Sequence, residues 1–183
     1  MKKTMIAAVL AAAFALTAAE CTIDFSKAKA GDKGIPGFSV NAMGKYENLA
    51  TVTVEEGSSA GKLAIKMVSN PKRSTSYFQK KSTPAKAGDT LKITAKVKGT
   101  GKASFGVYSY AKSGGFVPAA TPHKSIAATA DGADFSFETE ILETTAKDKD
   151  GNLKAVGGVR PVITVGANSD LLIEDVKFEI ISK

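Results

Sequence analysis

Period two runs through much of the chain. Leu91, Ile93, Ala95 and Val97 alternate with Lys92, Thr94, Lys96 and Lys98. Successive side chains of a strand point to opposite faces, so this stretch predicts a half-buried strand with a lysine-rich outer face. Gly99-Thr100-Gly101 reads as a turn. Ala103, Phe105 and Val107 then resume an apolar face, and the pair predicts a β-hairpin. Phe135, Phe137, Thr139 and Ile141 alternate with Asp134, Ser136, Glu138 and Glu140. Val159, Pro161, Ile163 and Val165 form another such face. Proline lacks an N–H, so that strand is expected at a sheet edge or with a bulge at Pro161. Shorter strands are expected over 51–54, 63–68 and 75–80. The closing run changes phase. Leu171 and Ile173 share one face, and Val176, Phe178 and Ile180 share one, but three residues separate Ile173 from Val176. A β-bulge at Glu174-Asp175 accounts for the slip and re-aims one acidic side chain.

Helical periodicity does not appear over any comparable window after the first segment. Gly57, Gly61, Pro71, Pro84, Gly88, Gly114, Gly115, Pro118 and Pro122 punctuate the chain instead. Many short strands between turn signals predict an all-β antiparallel sandwich or barrel of about ten strands. Residues 26–48 read as a long loop with one short strand. No Pro/Ser-rich linker or internal repeat divides the chain, so residues 20–183 are expected to form one domain.

The first 19 residues have a different character. Lys2 and Lys3 precede an uncharged apolar run from Ile6 to Leu16, and Thr17-Ala18-Ala19 supplies small residues before Glu20. This is the layout of a secretory signal peptide cut after Ala19, which places the protein in the periplasm or outside the cell. The run falls short of the ~20 apolar residues of a bilayer-spanning helix, and no other stretch is longer. Cys21 follows the expected cut. A lipoprotein signal carries a small residue before its cysteine, where this chain has Glu20, so lipidation is the lesser reading beside a free or intermolecularly bridged thiol.

Composition narrows the chemistry. One Cys and one His among 183 residues exclude a disulfide framework, a cysteine-cluster metal site and a two-histidine metal site within one chain. The 25 Lys and Arg against 18 Asp and Glu give +7, but the cations are scattered. They read as a solvated surface rather than the dense basic stripe of a nucleic-acid binder.

Several stretches together resemble the jelly-roll carbohydrate-binding modules of the galactose-binding-like fold. They are Tyr77-Phe78-Gln79-Lys80 followed by Ala87-Gly88-Asp89-Thr90-Leu91, then Val159-Arg160-Pro161-Val162-Ile163, and finally Leu172-Ile173-Glu174-Asp175-Val176. The resemblance implies an antiparallel β-sandwich and a glycan or polysaccharide as ligand. It also implies a structural calcium tying the first strand to the last, and Asp24, Glu174 and Asp175 occupy the corresponding places. Calcium takes six to eight oxygen ligands, which backbone carbonyls at a bulge would complete. The other reading of these three residues is an ordinary exposed acidic group. Modules of this kind commonly stack a sugar on Trp or Tyr. This chain has no Trp, four Tyr and nine Phe.

The alternation itself points to a face. With Ala103, Phe105 and Val107 inward, Ser104, Gly106, Tyr108 and Tyr110 point outward. A tyrosine offers a ring face to sugar C–H groups and a hydroxyl for a hydrogen bond, and small neighbours leave room for a flat ligand. Arg160 faces away from Val159 and Ile163 and supplies a planar set of donors. Tyr77 and Gln79 are candidates on a neighbouring strand. The competing reading is structural: the tyrosines pack beneath the loop 113–118, and Arg160 joins a surface ion pair.

Other chemistries find little support. Asp148-Lys149-Asp150-Gly151-Asn152 opens like a calcium-binding EF-hand loop, but Leu153 stands where that loop needs Gly and Val159 where it needs Glu, so it reads as a polar turn. His123 is the sole imidazole, set in a loop after Pro122, and no G-x-S-x-G motif accompanies it. No phosphate-binding loop or dinucleotide fingerprint has its strand–helix context. The expectation is an exported, non-catalytic protein that binds glycan. A structural or protein-interaction subunit of the cell envelope is the alternative, since no catalytic domain accompanies the module.

Overall fold

The computed structural model describes residues 18–20, 23–40, 50–117 and 122–183. Twelve strands occupy them: β1 (Ala18–Glu20), β2 (Phe38–Val40), β3 (Ala50–Glu56), β4 (Leu63–Ser69), β5 (Thr75–Gln79), β6 (Thr83–Pro84), β7 (Thr90–Thr100), β8 (Lys102–Ala111), β9 (His123–Ala127), β10 (Ala133–Glu140), β11 (Val156–Val165) and β12 (Asp170–Ile181). No helix is present among the described residues, so none is long and apolar enough to cross a membrane. The first sheet runs β10-β7-β12-β4-β3, with β1 on β12; the second runs β2-β5-β11-β8-β9, with β6 on β11. All strand pairings are antiparallel. The architecture is an all-β jelly-roll sandwich.

The alternation seen along the chain becomes the sandwich interior. Leu91, Ile93 and Val97 of β7 and Leu171, Ile173 and Phe178 of β12 meet Phe105, Val107, Ile163 and Val165 of the second sheet in one buried core. Phe105 of one sheet lies 4.7 Å from Phe135 of the other, ring centre to ring centre. Burying such a ring stabilises the fold by about 1.5–3 kcal/mol.

The phase slip in β12 is a β-bulge. Its pairing with β7 shifts between Glu174 and Lys177, and Asp175 sits at φ 49°. The turn 148–152 also forms as expected: Asp148 Oδ1 accepts from the N–H groups of Asp150 and Asn152, both at 2.9 Å, with Gly151 at φ 85°.

Three expectations are corrected. The stretch Gly99-Thr100-Gly101 does not close a hairpin; β7 and β8 lie in different sheets, and the chain crosses between them there. Gly99 and Gly101 have φ 118° and 106°, and added Cβ atoms would lie 2.2 Å from Asp170 O and Ser169 Oγ respectively. The glycines serve a corner pressed against 169–170 rather than a two-residue turn. Pro161 lies in a central strand, with no register shift at that residue. On one side it pairs with Val107; on the other, β5 reaches only Val162 and β6 only Val159. The missing N–H is tolerated because the neighbouring strand is interrupted beside it. Finally, His123 opens β9 rather than lying in a loop.

The expected signal segment lies outside the described residues apart from Ala18 and Ala19. With Glu20 these pair with Glu179–Ile181 of β12. Cys21 also lies outside the described residues.

Candidate functional site

The outer face of the second sheet is built by register. Tyr108 stands opposite Arg160, Tyr110 opposite Gly158, Gly106 opposite Val162, and Val162 opposite Phe78. Alternation turns all of these away from the core. Gly106 also pairs with His123 of β9, and a Cβ there would lie 2.6 Å from the imidazole and 2.3 Å from Pro122 O. A side chain is excluded at this position, which leaves the space beside Tyr108 open.

Aromatic rings cover this face. Tyr108 lies 6.1 Å from Phe78, 5.9 Å from His123 and 5.6 Å from Phe116, the last edge-on at 85°. Phe116 also lies 5.8 Å from Tyr110. It is carried there by residues 112–117, which fold back along β8. Ala111 N–H donates to Gly115 O, Val117 N–H donates to Ser109 O, and Gly114 takes φ 90°. Phe116 remains 49% exposed, and both tyrosines are half-buried. The loop therefore adds a ring to the tyrosines without taking them into the core. Beneath the rings Val162 is fully buried although it points outward.

Polar groups are fixed around them. Tyr108 donates its hydroxyl to Ser76 Oγ at 3.1 Å, and Ser76 shares a 2.8 Å hydrogen bond with Thr164. The Arg160 guanidinium lies 4.0 Å from the centre of the Tyr110 ring, and its Nε donates to Ser82 Oγ at 3.0 Å. Ser82 belongs to the interruption between β5 and β6, so the gap that accommodates Pro161 also supplies the residue that orients Arg160. His123 is itself exposed, and partial desolvation of its ring beside Tyr108 lowers its pKa below the usual 6.5, partly offset by a hydrogen bond with Val107.

The structure brings Tyr108, Tyr110 and Arg160 together as expected, and separates Tyr77 and Gln79 from them. Tyr77 is 2% exposed and turned to the interior. Ile35 N–H donates to its hydroxyl at 2.6 Å, Phe38 stacks on its ring at 5.2 Å, and burial pushes its pKa up. Gln79 shares the Tyr77 side of β5 by alternation. The outward ring of that strand is Phe78. Sequence reasoning also missed Phe116 and the placement of His123.

The expected calcium ligands have separate engagements. Asp24 Oδ1 accepts from Ser26 N–H at 2.8 Å, and hydrogen bonding to Ser26 lowers its pKa. Glu174 stands opposite Lys96 on the outer face and is covered by the segment at Ser58; it is 7% exposed, and its carboxylate accepts from Ser58 N–H and, at 3.1 Å, from Ser58 Oγ. Asp175 points out to Lys62 Nζ at 2.7 Å. No cluster of three or more His, Cys, Asp or Glu able to hold a metal exists among the described residues.

No protein-family model matches the chain, and no curated protein is significantly similar to it. Solved structures are. The enzymatically active domain of tailspike protein 4 from bacteriophage CBA120 aligns with TM-score 0.60 and 12% identity over 81% of this chain, which corresponds to 20% of the tailspike chain. The CBM22-1 xylan-binding domain of Paenibacillus barcinonensis Xyn10C aligns with TM-score 0.51 and 13% identity, covering 85% of this chain and 99% of that one. A family 11 carbohydrate-binding module of Clostridium thermocellum, in complex with a β-1,3-1,4-mixed-linked tetrasaccharide, gives TM-score 0.50 and 14% identity over 82% and 94%. The chain has the jelly-roll sandwich fold of carbohydrate-binding modules.

Proposed function

We propose that this is an exported, non-catalytic protein that holds a glycan on the outer face of the second sheet. One observation carries the reading: Phe78, Tyr108, Tyr110 and Phe116 gather on that face with Phe116 half exposed to solvent. An apolar ring surface beside fixed hydroxyls and a guanidinium suits a sugar, whose ring has C–H faces and a polar rim. The fold shared with xylan- and glucan-binding modules supports this at the level of architecture only. Export follows from the N-terminal segment; a cut after Ala19 would take two residues out of β1.

Native gels cast with soluble xylan, mixed-linkage glucan, galactan or polygalacturonate test the reading. At least one should retard the protein. Replacing Tyr108 and Tyr110 together by Ala should weaken retention at least about tenfold, as expected for central stacking rings. Replacing Lys92 and Lys96 on the other sheet should leave it unchanged. Absence of retardation, or retardation indifferent to the tyrosines, overturns it.

A second reading, an envelope subunit that contacts protein, has its own observation. Leu142 and Leu153 are 51% and 57% exposed, and Leu153 lines a groove with Glu143, Thr144, Ala155 and Val156. Self-association or protein co-purification that is lost in Leu142→Ser with Leu153→Ser, with no glycan retained, would favour it.

A further inference from the structure

Charge is divided between the two sheets. The six strands of the second sheet contain no Asp or Glu, whereas β1, β3, β10 and β12 of the first all do. Between Glu56 and Asp131 the sequence holds a single acid, Asp89, which is 2% exposed and bonded to Lys86 N–H. On the first sheet, cations meet carboxylates: Lys66 with Asp170, and Lys177 with Glu179. On the second, Arg160 has a ring and a serine hydroxyl as partners and no carboxylate among the described residues. Lys80 and Lys81 immediately precede Ser82, and Lys112 follows Tyr110 by two residues; all three are exposed.

Arg160 is also pre-organised. Its Cζ is held over the Tyr110 ring and Nε is committed to Ser82; among the described residues the two Nη groups meet no carboxylate. A guanidinium presented this way matches a carboxylate or sulfate through parallel N–H···O bonds. Neutral sugar hydroxyls would leave its charge without a counter-charge.

We infer that the ligand of this face is an acidic glycan, its sugar ring on Tyr108 and Phe116 and its anionic group on Arg160. The inference rests on the glycan reading above. Carboxylate and sulfate share the required chemistry, so the test uses a matched pair for each: oligogalacturonate against its methyl ester, and dextran sulfate against dextran. Calorimetry on the purified protein should show at least one acidic member binding about tenfold tighter than its neutral partner. Arg160→Gln should remove that difference, Arg160→Lys should restore part of it, and circular dichroism should show both variants folded. Equal binding of acidic and neutral partners, unaffected by Arg160→Gln, overturns the inference and leaves the glycan reading standing. Binding of acidic polymers that survives both Arg160→Gln and the double tyrosine variant is general polyanion attraction and also overturns it. No binding of these probes or of the gel panel overturns both.

Discussion

The two sheets obey one alternation rule and use their outer faces in opposite ways. The first presents Lys92, Lys96, Lys98, Glu138 and Glu179, and carries acids and lysines together, pairing Lys66 with Asp170 and Lys177 with Glu179. The second presents rings, hydroxyls and one stacked guanidinium, with no acid in any of its strands. A face of mixed charge is solvated and needs no partner. A face of clustered aromatic rings gains free energy by covering them, which is why the second sheet is the place to expect a ligand. Each sheet also departs from regularity at one point, and the departures differ in kind. The bulge in β12 turns Asp175 out to Lys62, beside a Glu174 that caps the backbone at Ser58. The gap between β5 and β6 leaves Ser82 free to orient a side chain that faces outward.

Substitutions at these irregular points sharpen the contrast. Glu174→Ala should cost about 1–3 kcal/mol in denaturant unfolding, because the Ser58 N–H and hydroxyl lose a charged acceptor, and should leave glycan retention unchanged. Gly106→Ala should cost a similar amount, about 1–3 kcal/mol, through the clash with Pro122 and His123, and should also weaken retention by displacing Tyr108. Equal binding phenotypes for the two would erase the distinction between a structural and a ligand-facing irregularity.

A smaller effect is expected at Lys66, which pairs with Asp170 on a partly exposed surface. Lys66→Ala should change stability by about 1 kcal/mol or less. A larger loss would mean that the first sheet's ion pairs hold the fold together.

The smallest effect concerns pH. Folded His123 binds a proton less readily than it does in the unfolded chain. As pH falls through the ordinary value of about 6.5 the unfolded state is protonated first, so stability declines until the folded ring is protonated as well. Melting curves between pH 7.5 and 5 should show a slight decline that His123→Gln reduces. A rise in stability over that interval, removed by the same substitution, would contradict the assigned direction.

Much of the fold was legible in the sequence because period two marks a strand and its two faces directly. β7, β8, β10 and β11 follow from it, and the slip between Ile173 and Val176 located the bulge. Tyr108 and Tyr110 were placed outward for the same reason: their strand has an unambiguous apolar side in Ala103, Phe105 and Val107. β5 offers no such asymmetry. Thr75-Ser76-Tyr77-Phe78-Gln79 carries one aromatic residue on each side, and only packing against Ile35 and Phe38 selects Tyr77 for the interior. Phe116 and His123 reach Tyr108 through chain reversals, which a local pattern does not encode. The corner at Gly99 and Gly101 has the residues of a hairpin turn; what makes it a sheet crossing is the backbone at 169–170, about seventy residues away in sequence.

The ring-covered face of the second sheet is the proposed ligand face. Backbone amide chemical shifts of the isotope-labelled protein, titrated with oligogalacturonate and separately with xylohexaose, test it most directly. Perturbations from at least one titrant should concentrate at residues 76–78, 106–110, 114–116 and 158–160, while β7 and β12 stay still. Perturbations confined to the first sheet, or to the groove at Leu153, would contradict it.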